Sequence, residues 1–206
     1  MIKIDTIIFD LGGVLIDWNP EYVFLDVFNN DREKMQWFFD NICTSDWNEN
    51  QDAGYPMAKA TQERIALFPE YEPEIRMFYG RWVDMLGNAI EGTVDILKEL
   101  LDSGSYKVVA LTNWSAETFP IALKKFEFLH WFEGIVVSGE ENTRKPFDEI
   151  YNLTLDRFGI TPQHALFIDD NQRNIQAAKN LNINSIQFKT AEQLKSDLKQ
   201  YNILLP

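Results

Sequence analysis

The sequence predicts an α/β fold, a Rossmann-like parallel sheet core carrying a small inserted helical cap domain. Three observations lead there. Short apolar runs recur without polar alternation, helix-like segments separate them, and one long aromatic-rich stretch lacks such runs.

The clearest runs are Thr6-Ile7-Ile8-Phe9, Val108-Val109-Ala110-Leu111, Gly134-Ile135-Val136-Val137 and Ala165-Leu166-Phe167-Ile168. Each is too short for a helix, and most are rich in β-branched or aromatic residues. Without alternation both faces must be covered, which is the pattern of a parallel sheet between helix layers. A weaker run, Asn184-Ser185-Ile186-Gln187-Phe188, reads as an edge strand. Between the runs, Val94, Ile96, Leu97, Leu100 and Leu101 fall at helical spacing, with Gly104 as the stop. Residues 117–126, 147–158, 171–181 and 191–200 also read as helices. Such alternation describes a doubly wound fold.

Residues 18–88 break the alternation. They offer no good strand candidate, but helix-like segments lie at 21–28, 32–42, 56–67 and 73–85. Aromatics are dense here, among them Phe24, Phe28, Trp37, Phe38, Trp47, Phe78 and Trp82. The expected organisation is a core of residues 1–17 and 89–206 with a helical insert over 18–88, the aromatics forming mainly the insert's own core.

A chain of 206 residues with 45% hydrophobic and 25% charged residues can bury a core unaided. Its formal net charge of −13 makes nucleic acid and anionic membranes poor partners. An anionic substrate would need local positive charge, such as a bound cation. No stretch approaches the roughly 20 apolar residues of a membrane span. The opening Met1-Ile2-Lys3-Ile4-Asp5 lacks a signal-peptide layout. The single cysteine, Cys43, lies among Phe39, Ile42 and Trp47 and reads as a buried, inert thiol. A reducing, cytoplasmic location is the expectation. His130 and His164 have no metal-like spacing and read as structural.

Three runs end in chemically suggestive residues: Asp10, Thr112-Asn113 and Asp169-Asp170. Ligands of open α/β sheets bind at the carboxyl ends of the strands, so these groups can meet at one point. Any one ending alone reads as a turn or helix cap; the three together call for a shared purpose. Carboxylates from separate strands suit a hard cation such as Mg2+. A carboxylate can also attack phosphorus and form an aspartyl phosphate, while Thr112 and a following backbone N–H can donate to phosphoryl oxygens. Arg144-Lys145-Pro146 precedes a helix-like segment, so Lys145 can bring an ammonium group.

Phe9-Asp10-Leu11-Gly12-Gly13-Val14-Leu15 resembles the first motif of the haloacid dehalogenase superfamily. Leu111-Thr112-Asn113 resembles the second, Arg144-Lys145-Pro146 the third, and the stretch from Phe167 through Asp169, Asp170 and Asn174 the fourth. Four motifs in order frame nearly the whole chain. The resemblance implies a Rossmann-like core with a helical cap between the first two motifs. It implies Asp10 as nucleophile and metal ligand, Gly12 giving a backbone carbonyl to the metal, and Thr112 with the Asn113 backbone holding the phosphoryl group. It further implies Lys145 as charge neutraliser and Asp170 as a metal ligand, with Asp169 and Asn174 supporting the site. Which of Asp169 and Asp170 touches the metal stays open at this point.

One position departs from the pattern. Many family phosphatases carry a second aspartate two residues after the nucleophile as general acid–base; here that residue is Gly12. Asp17 and Asp46 are the candidate substitutes. The Asp-Leu-Gly-Gly-Val string nevertheless resembles a branch that includes sugar-1-phosphate phosphatases. The resulting expectation is an Mg2+-dependent phosphatase acting on a small phosphorylated metabolite through an aspartyl phosphate. Two alternatives stand beside it: a 2-haloacid dehalogenase, which needs no general acid but lacks a paired aspartate, and a phosphate-binding protein with weak catalysis.

Overall fold

The structure, a computed structural model, describes residues 3–203 and 205. Met1 and Ile2, which open the stretch read above for a signal peptide, lie outside the described residues. In chain order the elements are β1 (Thr6–Phe9), β2 (Ile16–Trp18), α1 (Glu21–Val27), α2 (Arg32–Asn41), α3 (Ser45–Asp52), α4 (Met57–Leu67), α5 (Glu72–Gly80), α6 (Trp82–Met85) and β3 (Leu86–Ala89). Then follow α7 (Glu91–Asp102), β4 (Lys107–Thr112), α8 (Phe119–Lys125), β5 (Ile135–Val137), α9 (Ser138–Glu141), α10 (Asp148–Phe158), β6 (Ala165–Asp169), α11 (Gln172–Asn180), β7 (Asn184–Gln187) and α12 (Ala191–Leu198).

Five strands form a wholly parallel sheet in the order β5-β4-β1-β6-β7. Side chains alternate across a strand, so each apolar run feeds two cores. Ile7, Phe9, Val108, Ala110, Leu166 and Ile168 belong to a core that includes α7 and α12 side chains. Ile8, Val109, Leu111 and Phe167 belong to another, with Ile150 and Tyr151 of α10 and Ile175 and Ala178 of α11. This is the predicted α/β class, and both sheet faces are covered.

Helices α1 to α6 gather a third core around Val23, Phe24, Phe38, Trp47, Ile75 and Phe78. Their rings pack directly, with Phe24–Phe38 and Trp47–Phe78 centroids both 5.3 Å apart. Tyr22 and Trp37 stay exposed. Cys43 is buried, and burial pushes its thiol up.

Two expectations about the insert need correction. Strand is present: β2 and β3 pair antiparallel, Ile16 opposite Ala89 and Trp18 opposite Leu86. Three- and four-residue strands are too short to show a period, and Leu86-Gly87-Asn88-Ala89 has no β-branched residue to announce one. Helix α3 also went unread, because only Trp47 and Gln51 of its eight residues are buried.

Candidate active site

Strands β4, β1 and β6 are neighbours at the middle of the sheet, so their carboxyl ends open on one spot. The Asp10 N–H donates to the Ile168 carbonyl at 2.8 Å, keeping the residue in the ladder just beyond β1. The chain then reverses: the Gly13 N–H donates to Ile16 O at 2.9 Å and the Leu15 N–H to Leu11 O at 2.8 Å. Gly13 has φ +74°, and a Cβ there would stand 2.5 Å from an Asp170 carboxylate oxygen. Glycine serves both the left-handed backbone and the close approach.

One carboxylate oxygen each from Asp10, Asp169 and Asp170 lies within 4.8 Å of the others. Lys145, fully buried, reaches in from the loop before α10. Its Nζ stands 2.9 Å from Asp10 Oδ2 and 2.6 Å from Asp169 Oδ2, and donates to the Leu111 carbonyl at 3.1 Å. Burial alone would push the ammonium down, but Asp10 and Asp169 outweigh it and hold Lys145 above its usual value. Burial pushes Asp10 well up, aided by Asp169 and Asp170 and opposed by Lys145. Asp170 is raised for the same first reason, then by Asp169.

Asp169 is fully buried and its oxygens are already engaged. They accept from Lys145, from the Asn171 N–H at 2.8 Å and from Asn174 Nδ2 at 3.0 and 3.1 Å. Asp170 is the exposed member of the cluster. The Thr112 hydroxyl is buried with no hydrogen-bond partner, a costly arrangement in a finished protein interior. Asn113 braces Lys145 instead of facing the cluster with its amide: Lys145 N–H donates to Asn113 Oδ1 at 2.9 Å, and Asn113 Nδ2 to Lys145 O at 3.0 Å.

The aromatic-rich insert lies over this same edge. Glu49 of α3 pairs with Arg144 at 2.7 Å and with Arg173 at the start of α11. The Asp52 carbonyl accepts from the buried Ser138 hydroxyl, and the Met57 N–H donates to Glu117 Oε1 at 2.8 Å. A pocket of ≈ 110 Å³ runs between insert and sheet edge, lined by Gly12 and Asn113 below and by Trp18, Asp52, Trp82 and Trp114 around it.

The structure thus brings together Asp10, Thr112, Lys145, Asp169 and Asp170, with Gly12 and Asn113 at the pocket's base. Asp17 and Asp46 do not join them. Asp17 accepts from the Tyr22 hydroxyl and crowds Gly87, and Asp46 is exposed on the first turn of α3. Asp52 and Glu49 were missed by sequence reasoning; the Thr44 cap, which accepts from the Trp47 N–H at 3.1 Å, was the one available sign of their helix.

The family model for haloacid dehalogenase-like hydrolases matches residues 7–188. Pyrophosphatase PpaX of Bacillus pumilus is 25% identical over 176 residues, covering 84% of this chain and 77% of that protein. A phosphorylated carbohydrates phosphatase of Thermotoga maritima is 21% identical over 183 residues, covering 88% of this chain and 83% of that one. Among solved structures, a HAD family enzyme of Bacteroides thetaiotaomicron in a magnesium complex superposes with TM-score 0.72 at 22% identity, over 95% of this chain and 98% of that one.

Proposed function

The chain belongs to the haloacid dehalogenase-like hydrolases, and from that premise we propose that it is a magnesium-dependent phosphatase of a small phosphorylated metabolite. The observation that carries the reading is the cluster of three carboxylates, Asp10, Asp169 and Asp170, facing one lysine. That donor set carries uncompensated negative charge and hard oxygen ligands, which fits magnesium. Asp10 and Asp170, with the Gly12 carbonyl, would hold the ion, because the donors already on Asp169 leave it a supporting role. Bound there, the ion supplies positive charge that screens Asp10 from an incoming phosphate.

The chain's own groups do the rest. Asp10 attacks phosphorus, and its carboxylate becomes an acyl phosphate as the ester oxygen departs. The Thr112 hydroxyl finds in a phosphoryl oxygen the partner it lacks, with the Asn113 backbone beside it. Lys145 offsets charge on Asp10 and on the transferring group. Water then attacks phosphorus, frees phosphate and restores Asp10. The insert, residues 18–88, serves as a cap over the core of residues 1–17 and 89–206, its α3 excluding bulk water. The ≈ 110 Å³ pocket between insert and sheet edge suits a small leaving group. The names of the relatives, a pyrophosphatase and a carbohydrate phosphatase, fit this class. No helix among the described residues is long and apolar enough to cross a membrane. We assign the chain to the cytoplasm, in keeping with its one buried, unpaired cysteine.

Phosphate release from a panel of phosphorylated metabolites, with and without magnesium, tests the reading. Chelation should abolish turnover. Asp170→Ala should weaken magnesium binding by at least about 10–100-fold, the loss common even for residues that merely support a ligand, as measured by calorimetry. Turnover that survives chelation, or halide release from a 2-haloacid in its place, overturns the proposal.

A further inference from the structure

Gly12 leaves an opening beside the nucleophile, for a Cβ placed there would meet nothing within 4 Å. The ≈ 110 Å³ pocket lined by Gly12 and Asn113 is also lined by an acidic residue of the insert, Asp52, the last residue of α3. It is held from several sides. Asn48 Nδ2 donates to Asp52 Oδ2 at 3.2 Å, the Tyr79 hydroxyl donates to Asn48 Oδ1 at 3.0 Å, and Gln51 Nε2 donates to the Tyr79 oxygen at 2.8 Å. The Ser138 hydroxyl fixes the Asp52 carbonyl. An insert residue is therefore positioned against the core's catalytic edge by side chains from both parts of the molecule.

We propose that Asp52 is the general acid–base of the reaction, taking the place that Gly12 leaves empty. The proposal rests on the phosphatase reading above. In the first step the Asp10–phosphorus bond forms, the phosphorus–ester oxygen bond breaks, and the Asp52 carboxyl passes its proton to the departing alkoxide. In the second step the Asp52 carboxylate takes a proton from water as the water oxygen bonds phosphorus and the Asp10–phosphorus bond breaks. Phosphate leaves, and Asp52 is again protonated.

The surroundings suit that cycle. Burial pushes Asp52 up to about 7, helped by Glu49 and opposed by Arg144 and the Ser115 N–H. Tyr79 lies near enough to feel its charge, and Glu117 sits at the same junction. A carboxyl that titrates near neutrality can both give and take a proton at working pH.

The test is Asp52→Asn, assayed with magnesium on β-glycerol phosphate, an alkyl ester, and on p-nitrophenyl phosphate, whose leaving group departs without protonation. The alkyl ester should lose about 10²–10⁴ in kcat, the usual worth of a general acid, while the aryl ester loses less than about tenfold. The falling limb near neutral pH in native kcat for the alkyl ester should vanish in the variant. Gly12→Asp in the Asp52→Asn background should recover alkyl turnover selectively. A thermal melt checks the fold. Because the native carboxyl is raised, its stability contribution is complete at acid pH and lost as pH rises through about 7. The Asn variant should therefore gain on the native protein across that window. Equal losses on both esters, or a surviving pH limb, overturn the assignment of Asp52 alone. A native chain that releases phosphate from neither ester nor from any metabolite of the panel overturns the phosphatase reading, and Asp52 with it.

Discussion

Replacing the proposed nucleophile, Asp10→Asn, should lower turnover by at least about 10³-fold, or roughly 4 kcal/mol of transition-state stabilisation. An amide neither attacks phosphorus usefully nor serves well as a magnesium ligand. The fold should survive. Asp10 sits with two other carboxylates within 4.8 Å and one lysine, so without metal the neutral side chain relieves repulsion as it gives up the ion pair. The metal-free variant should melt within a few degrees of the native protein, about 1 kcal/mol or less apart. Magnesium should raise the native melting temperature and raise the variant's much less. Radiolabelled substrate quenched in acid should leave label on the native chain and none on the variant. Near-normal phosphate release by a folded Asp10→Asn protein would refute the nucleophile.

The sheet was legible because its strands are buried on both faces. Val108 to Leu111 and Ala165 to Ile168 carry no polar residue to blur the run. Their polar ends were legible for the same reason, since Asp10 and Asp169 interrupt apolar sequence abruptly. What the sequence left open was which acid faces a cation, since adjacent aspartates look alike in a string. Their hydrogen bonding differs, since Lys145, Asn171 and Asn174 all converge on Asp169, and that difference supports Asp170 as the proposed ligand.

Asp52 was hidden for a different reason. It ends a helix that buries little apolar surface, and its proposed role depends on Ser138, which bonds its carbonyl, and on Gly12 and Asn113, which line the same pocket from distant parts of the chain. The candidate substitutes read from the sequence were Asp17 and the cap residue Asp46; Asp17 accepts from the Tyr22 hydroxyl and Asp46 is exposed on the first turn of α3. Asn113 adds a role the motif did not announce: its side chain spends its hydrogen bonds on Lys145's backbone, while its own backbone is left for the proposed phosphoryl contact.

Lys145→Met should produce the largest loss of stability of any single change at this site. Lys145 is fully enclosed, bonded to Asp10 and Asp169 and stationed 5.5 Å from the Phe167 ring centroid. Methionine nearly fills the volume, but the two carboxylates are left buried without their cation. Removing one partner of a buried pair costs about 3–5 kcal/mol, and here one ammonium serves two. Because the native ammonium is raised above its usual value, its contribution is complete at neutral pH and lost only at strongly alkaline pH. In the variant Asp10, already pushed up by burial, loses the cation that opposes that push, so the deficit should shrink as pH falls. Denaturant melts at pH 7 and pH 5 read the difference directly. Turnover should fall with stability, since the site then faces a phosphate with three acids and no lysine. A variant as stable as the native chain at pH 7 would refute the view that the Lys145 ammonium compensates buried negative charge at this site.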